Sequence, residues 1–376
     1  MNAHPYHDAV PEQEPTPLPS APASTASIHT PTEDEERAQP AQSANGETNR
    51  SAPVSGWQRY ARTIAVLILI VVSAYGVRQF MMGDAAAVTE LWKSKITILP
   101  LVFLLAMIDL SLETAGWVWI LSRLGLKTRD LTGVSVCVAG KAGLLLPAQL
   151  GRLIRPDLMV RLGRGTLGEN LKAEGAVFVL DAVSVVALFA GLVAWRVHPA
   201  LGPAASAAVI LVTLFLGNRI ASILSGTRLE FPRAFWWSWQ TFVIVLVEAA
   251  GWISHGIAFY VLTSDLPGNV TLWDALFLAP GAAVIGLASG LPGGLGITEG
   301  LLGASLGFSG VPVAHHALDV AMFRLITFWV LLPIGWLALM WTGRQVRKRD
   351  RGLEAEAAAV TAVAAGASAP VGGLQR

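Results

Sequence analysis

Leu146-Pro147-Ala148-Gln149-Leu150-Gly151 recurs as Leu291-Pro292-Gly293-Gly294-Leu295-Gly296, and each copy interrupts a long apolar stretch. Proline and glycine release backbone N–H and C=O groups that hydrocarbon cannot satisfy. Such breaks persist at membrane depth only where protein or a water-filled cavity surrounds them. Two matching breaks in one chain read as an internal repeat, and paired interruptions of this kind point to a binding site between the halves.

The surrounding composition supports membrane depth. Of the residues, 53% are apolar and 14% charged, and several runs reach the roughly 20 residues that cross a hydrocarbon core. Full spans are expected at Thr63–Met82, Ile96–Leu121, Ala173–Val197, Leu201–Leu224, Ala234–Leu262 and His316–Thr342. Two further apolar regions, Leu131–Arg164 and Asp274–Val313, each contain one copy of the motif. The expected fold class is all-α: a polytopic helical membrane protein with about six full spans and two re-entrant hairpins.

Basic residues give the orientation. Arg59 and Arg62 precede the first span, and Arg344, Arg347, Lys348, Arg349 and Arg351 follow the last, so both tails are expected in the cytoplasm. Arg123, Lys127 and Arg129 precede the first motif region, and Arg152, Arg155, Arg161, Arg164 and Lys172 close it. Both its ends therefore read as cytoplasmic. The second region begins after Asp265, in a stretch without Lys or Arg from Arg233 to Arg324, and reads as entering from the opposite face. The two hairpins are thus oppositely oriented, as in an inverted repeat whose broken helices meet near the midplane.

Residues 1–56 are rich in Pro, Ala, Ser, Thr and Glu and poor in large apolar side chains, which predicts a disordered tail. Residues 57–343 form the expected membrane domain, and 344–376 a basic flank and flexible tail in which Glu354 to Ala365 could form a frayed helix. The opening Met1-Asn2-Ala3-His4-Pro5 has no basic or apolar leader region, so no cleaved signal peptide is expected. A net charge of +1, with its basic residues at helix flanks, gives no reason to expect nucleic acid. Cys137, the single cysteine, reads as a small apolar core residue. No metal or other cofactor is expected.

Each ionisable side chain within a span costs at least about 2.5 kcal/mol and must find a partner, a cavity or an interface. Asp109 and Glu113 share one helical face and could share a proton, or pair with a base such as Lys141. Glu174 and Asp181 share the next face, with Glu174 expected near the surface and Asp181 deeper. Glu248, Trp252 and His255 are aligned as either a proton relay or a packing cluster. Proton or ion coupling is therefore assigned to Asp109, Glu113, Asp181 and Glu248. His315 and His316 read as interfacial. Glu299 falls at the start of a half-helix and suits its dipole. Arg324 needs an acid, Glu299 or Asp319, or a substrate anion. Arg152 and Arg155 follow the first motif, where they would anchor the chain in the cytoplasm or meet a lipid phosphate.

The run GLLLPAQLGRLIR over residues 143–155, then Asp181, then LPGGLGITE over 291–299 with Arg324, resembles the lysylphosphatidylglycerol synthase transmembrane family. That family is also described as flippase-like. The resemblance covers the whole membrane region and implies a lipid-handling domain. In the synthase members an aminoacyl-transferase domain follows the membrane part; none is read after the last span here, so lysyl transfer is not expected. Many relatives carry Gly-Glu where this chain has Gly151-Arg152, a reversal of charge that favours an anionic over a cationic lipid.

The leading expectation is a flippase or scramblase that moves a polar-headed lipid across the cytoplasmic membrane. Arg152, Arg155, Pro292, Gly293, Gly294, Gly296, Glu299 and Arg324 would bind the substrate, with backbone N–H groups of the breaks facing its head group. The alternatives are an intramembrane enzyme acting on a lipid-linked sugar or polyprenyl phosphate, and an accessory subunit of a lipid-modifying or glycosyltransferase system. A His-Glu-x-x-His pattern is absent from the sequence, which disfavours a metal-dependent enzyme. Expected partners are the bilayer, a lipid substrate, and either a lipid-modifying enzyme or further copies of the chain.

Overall fold

A computed structural model describes residues 85–227, 230–232, 234–266, 270–308, 310 and 313–367. The expected disordered tail, the span at Thr63–Met82 and the side chains of His315 and His316 lie outside the described residues. The described chain is helical without a strand: α1 Ala85–Lys95, α2 Leu99–Arg123, α3 Leu131–Ala139, α4 Ile154–Arg161, α5 Leu167–Val197 and α6 Leu201–Ile223. There follow α7 Trp239–Thr263, α8 Leu272–Ala288, α9 Ile297–Phe308, α10 Val313–Arg324 and α11 Leu331–Ala367. Among the described residues, five helical stretches are long and apolar enough to cross a membrane: α2, α5, α6, α7 and the stretch Ala317–Ala362 that joins α10 to α11.

The helix starts are written in the sequence. Thr166 with Glu169, and Thr271 with Asp274, form reciprocal capping boxes on α5 and α8. Ser238 caps α7, and Asp130 caps α3 by accepting from the Gly133 amide at 2.8 Å. Asp130 also accepts from Arg164, at 2.6 Å from its Nη2. Asp130→Ala is expected to destabilise the protein by about 1 kcal/mol. The bonds from Arg164 and Gly133 hold the Asp130 carboxyl below its ordinary range. Its stabilisation is therefore complete above the ordinary carboxylate value of about 4 and is lost as pH falls through the lowered one. Melting temperatures across an acid pH series should show the difference between wild type and variant shrinking.

Two large apolar cores form, beside a small cluster of Leu188, Leu192 and Leu276. The first gathers Trp117, Ile120 and Leu121 of α2 with Val136, Met159, Val177, Leu180, Ile210, Phe235, Ile244 and Val245. The second gathers Val102 and Ala106 of α2 with Ala258, Phe259, Leu262, Ala275, Leu302, Met322 and Phe323. Helices α2 and α7 run antiparallel through both: Ser254 donates to the Leu105 carbonyl at 2.9 Å, and Arg123 at the far end reaches Thr241. Between the cores these helices carry Asp109, Glu113, Glu248 and His255, so a polar layer separates two oily ones. Helix α6 packs on α5 and leaves Leu211, Val212, Phe215, Leu216 and Ile220 exposed, the surface expected of a helix solvated by lipid tails.

The two motif regions are each helix, break, helix: α3 and α4 around residues 140–153, and α8 and α9 around 289–296. The last span differs from a plain helix. Residues Leu325–Trp329 form a π turn, in which Val330 donates to the Leu325 carbonyl at 2.8 Å. Pro333 explains it: proline has no N–H for the Trp329 carbonyl, and a wider turn relieves the clash of its ring with that carbonyl. The helix does not stop at Thr342, the expected end of the span. α11 continues through the basic flank to Ala367, as suits its Ala, Glu, Arg and Lys content.

Candidate functional site

The two breaks meet in the polar layer. In the first, the backbones of Gly143 and Gly151 touch, so that a methyl group on either would overlap the other's main chain. In the second, Gly286 and Gly294 pack against each other at the same spacing of eight: a methyl group on Gly294 would overlap the Gly286 main chain, and one on Gly286 would collide with the Thr298 hydroxyl. The structural counterpart of Gly151 is therefore Gly294, two positions before the partner that the six-residue match assigns. Gly293 lies in the left-handed region (φ 57°), with the Phe328 ring against the place where a side chain would begin. Helix α11 closes on the first break at Gly335, which touches Lys141 and Ala142.

Arg324, at the end of α10, ties the second break together. Its Nε donates to Glu299 Oε1 at 2.6 Å, its Nη2 to the Gly293 carbonyl at 2.8 Å, and its guanidinium lies 4.4 Å from the centre of the Phe328 ring. Glu299 in turn accepts from the Gly296 amide at 2.7 Å, in the first turn of α9. Asp319 takes no part. It is buried with Lys95 at 3.2 Å, and Lys95 also bonds Asp265 and the Leu262 carbonyl.

The other charges form a second network. Arg155, buried, donates to Glu113 at 2.8 Å and to the Cys137 carbonyl at 3.1 Å, and approaches Glu174 to 4.0 Å. Lys141 also pairs with Glu113. Asp109 faces His255 at 3.4 Å rather than sharing a proton with Glu113. Glu174 is a correction to its expected place near the surface: it is buried and accepts from the Trp117 indole N–H at 2.7 Å. Asp181 accepts from the Trp252 indole at 2.9 Å and faces Arg152 at 3.3 Å. The aligned Glu248, Trp252 and His255 thus form no relay of their own. Glu248 is 5% exposed, and its Oε1 finds no hydrogen-bond partner; Nη1 of Arg152 is likewise buried without one.

These groups line one cavity of about 210 Å³. Its polar wall comprises Asp109, Glu113, Asp181 and Glu248 against Lys141, Arg152, Arg155 and Arg324, with Trp252 and His255; Leu144, Leu287, Leu291 and Phe328 supply apolar wall. Four acids thus face four bases, a more balanced lining than an anion site alone requires. Of the expected second-motif contacts only Gly293 reaches the cavity. Pro292, Gly294, Gly296 and Glu299 stand behind it. The amides of Gly294, Leu295 and Gly296 bond the Leu291 carbonyl, the Pro292 carbonyl and Glu299, so these three N–H groups of the second break are satisfied within the protein. Among the described residues no cluster of three or more His, Cys, Asp or Glu side chains could hold a metal ion.

Sequence reasoning missed the tethering of α10 through Lys95, the burial of Glu174 and the glycine pairs within each hairpin. A glycine spacing of eight, repeated in both halves, was the available signal for the last.

Residues 62–335 match the family described as Lysylphosphatidylglycerol synthase TM region. A UPF0104 membrane protein of Methanothermobacter thermautotrophicus is 28% identical over 98 residues, covering 26% of this chain and 29% of that protein's length.

Proposed function

Because this multi-pass membrane chain belongs to the lysylphosphatidylglycerol synthase transmembrane-region family, we propose that it moves a polar-headed lipid between the leaflets of the inner membrane. The head group crosses through the cavity while the acyl chains stay in the bilayer. The observation that carries this reading is the cavity itself: a charged chamber bounded by two broken helical hairpins, among helices such as α6 that expose large apolar side chains. Fixed charges at this depth are too costly to keep without a polar visitor or complete internal pairing, and pairing here is incomplete. In this reading the two hairpins are re-entrant from opposite faces, and both chain ends lie in the cytoplasm, as the basic flanks favour.

Arg152 is the group poised for a lipid phosphate. Arg155 and Arg324 are each held by a carboxylate and a backbone carbonyl, whereas Arg152 has one charged contact at 3.3 Å and a free Nη1. A charge-assisted bond to phosphate contributes about 1.5–3 kcal/mol. Arg152→Gln is therefore expected to slow movement of labelled phosphatidylglycerol in reconstituted liposomes by roughly tenfold or more, with the melting temperature nearly unchanged. Wild-type movement in this variant would remove Arg152 from the site, and no movement above protein-free liposomes for anionic, zwitterionic or prenyl-phosphate lipids would sink the transport reading.

A further inference from the structure

Glu248 differs from every other carboxylate of the polar layer. Asp109 has His255, Glu113 has Lys141 and Arg155, Glu174 has the Trp117 indole, Asp181 has the Trp252 indole and Arg152, and Glu299 has Arg324. Glu248 has its side chain inside the α2–α7 contact, where Oε1 presses on Gly116 and accepts no bond. The ionisable groups lining the cavity with it are Asp109 and Glu113 from α2, Asp181 from α5, Lys141, Arg152 and Arg155 from the first hairpin, His255 on its own helix, and Arg324 from α10. Each of the four bases is already set against another carboxylate: Lys141 and Arg155 against Glu113, Arg152 against Asp181, and Arg324 against Glu299. An ionised Glu248 would add a negative charge beside Asp109, Glu113 and Asp181 with no cation of its own, at a cost of several kcal/mol. A neutral carboxylic acid avoids that cost, and its position on the cavity wall gives a proton a way in and out.

We propose that Glu248 is the proton-binding site of this cavity, and that lipid movement is coupled to the transmembrane proton gradient through it. In the closed packing seen here the carboxyl holds a proton. When the polar layer rearranges and water reaches the cavity from one face, the proton leaves to that water; a proton from the other face replaces it on the return. The inference rests on the lipid-movement reading for its second half only, since the protonation of Glu248 stands on the packing of α2 against α7.

The test has two arms. In the first, purified protein is reconstituted into phosphatidylcholine liposomes with labelled phosphatidylglycerol, the membrane potential is clamped, and a pH gradient is imposed. Coupling of one proton per lipid predicts that the leaflet ratio of the label shifts by about tenfold per pH unit, and that Glu248→Gln abolishes this dependence. A ratio indifferent to the gradient in the wild type, or an unchanged dependence in Glu248→Gln, overturns the coupling. In the second arm, infrared spectra of the detergent-solubilised full chain near neutral pH should show a protonated-carboxyl band that disappears in Glu248→Gln and persists in Asp181→Asn. A band absent from the wild type, or one that survives Glu248→Gln, overturns Glu248 as the proton site. If the band behaves as expected while no lipid moves under any gradient, coupling to lipid movement is overturned together with the transport reading, and the proton site stands.

Discussion

Arg155→Met is expected to destabilise the protein by about 3–5 kcal/mol, the range for removing one partner of a buried ion pair. Arg155 is 4% exposed and is the only base near Glu174 among the described contacts, while Glu113 keeps Lys141. Methionine preserves the stem beside Trp117 and removes the charge, leaving Glu174 with a buried oxygen that has no cation to face. Combining it with Glu174→Gln should recover part of the loss, because the stranded charge goes with its partner. Unfolding followed by tryptophan fluorescence is well placed to report this, since Trp117 touches both residues. If the single variant melts with the wild type, the network is an ornament of the packing and the cavity's charges are not interdependent.

The second large effect belongs to Gly293. Gly293→Ala forces a side chain into the left-handed region, at about 1–2 kcal/mol, and drives a methyl group into the Phe328 ring, where overpacking costs a further 1–3 kcal/mol or so. The carbonyl that Arg324 holds at 2.8 Å shifts with it, so lipid movement should fall even where folded protein is recovered. Phe328→Leu in the same chain should return the steric portion of the loss and leave the backbone portion. Full recovery by the double variant would show that the left-handed conformation at Gly293 carries no cost of its own.

Much of this architecture was legible in the sequence because membrane helices announce themselves by local composition. The C-terminal boundaries of α2, α5, α6 and α7 fell within two residues of those expected, while α5 starts six residues earlier at its Thr166 cap and α7 five residues later at its Ser238 cap. The breaks were legible because Pro147, Pro292 and the surrounding glycines act within their own turn. That Arg324 needs a partner was legible, with Glu299 and Asp319 as the nearby acids because few other charges are close in sequence; the choice of Glu299 came from packing. Partners contributed by remote helices were not legible: Lys95 for Asp319, the Trp252 indole for Asp181 and the Trp117 indole for Glu174 are choices made by packing, which periodicity does not reveal. The isolation of Glu248 was hidden for the same reason, since it shows only after every nearby donor has been assigned elsewhere.

The π turn at Leu325–Trp329 lets one transmembrane segment serve two clients. An α-helix rotates by about 100° per residue, so a turn that accommodates one extra residue resets the angular phase of everything after it. Before the turn the segment presents Arg324 to the second hairpin; after it, Gly335 lies flat against the tip of the first. Wound as a single uninterrupted α-helix, the same residues would point one of those two contacts about a quarter-turn away. The proline that forces the wide turn thus acts as a phase shifter, and the two hairpins are indexed to each other through the helix that passes between them.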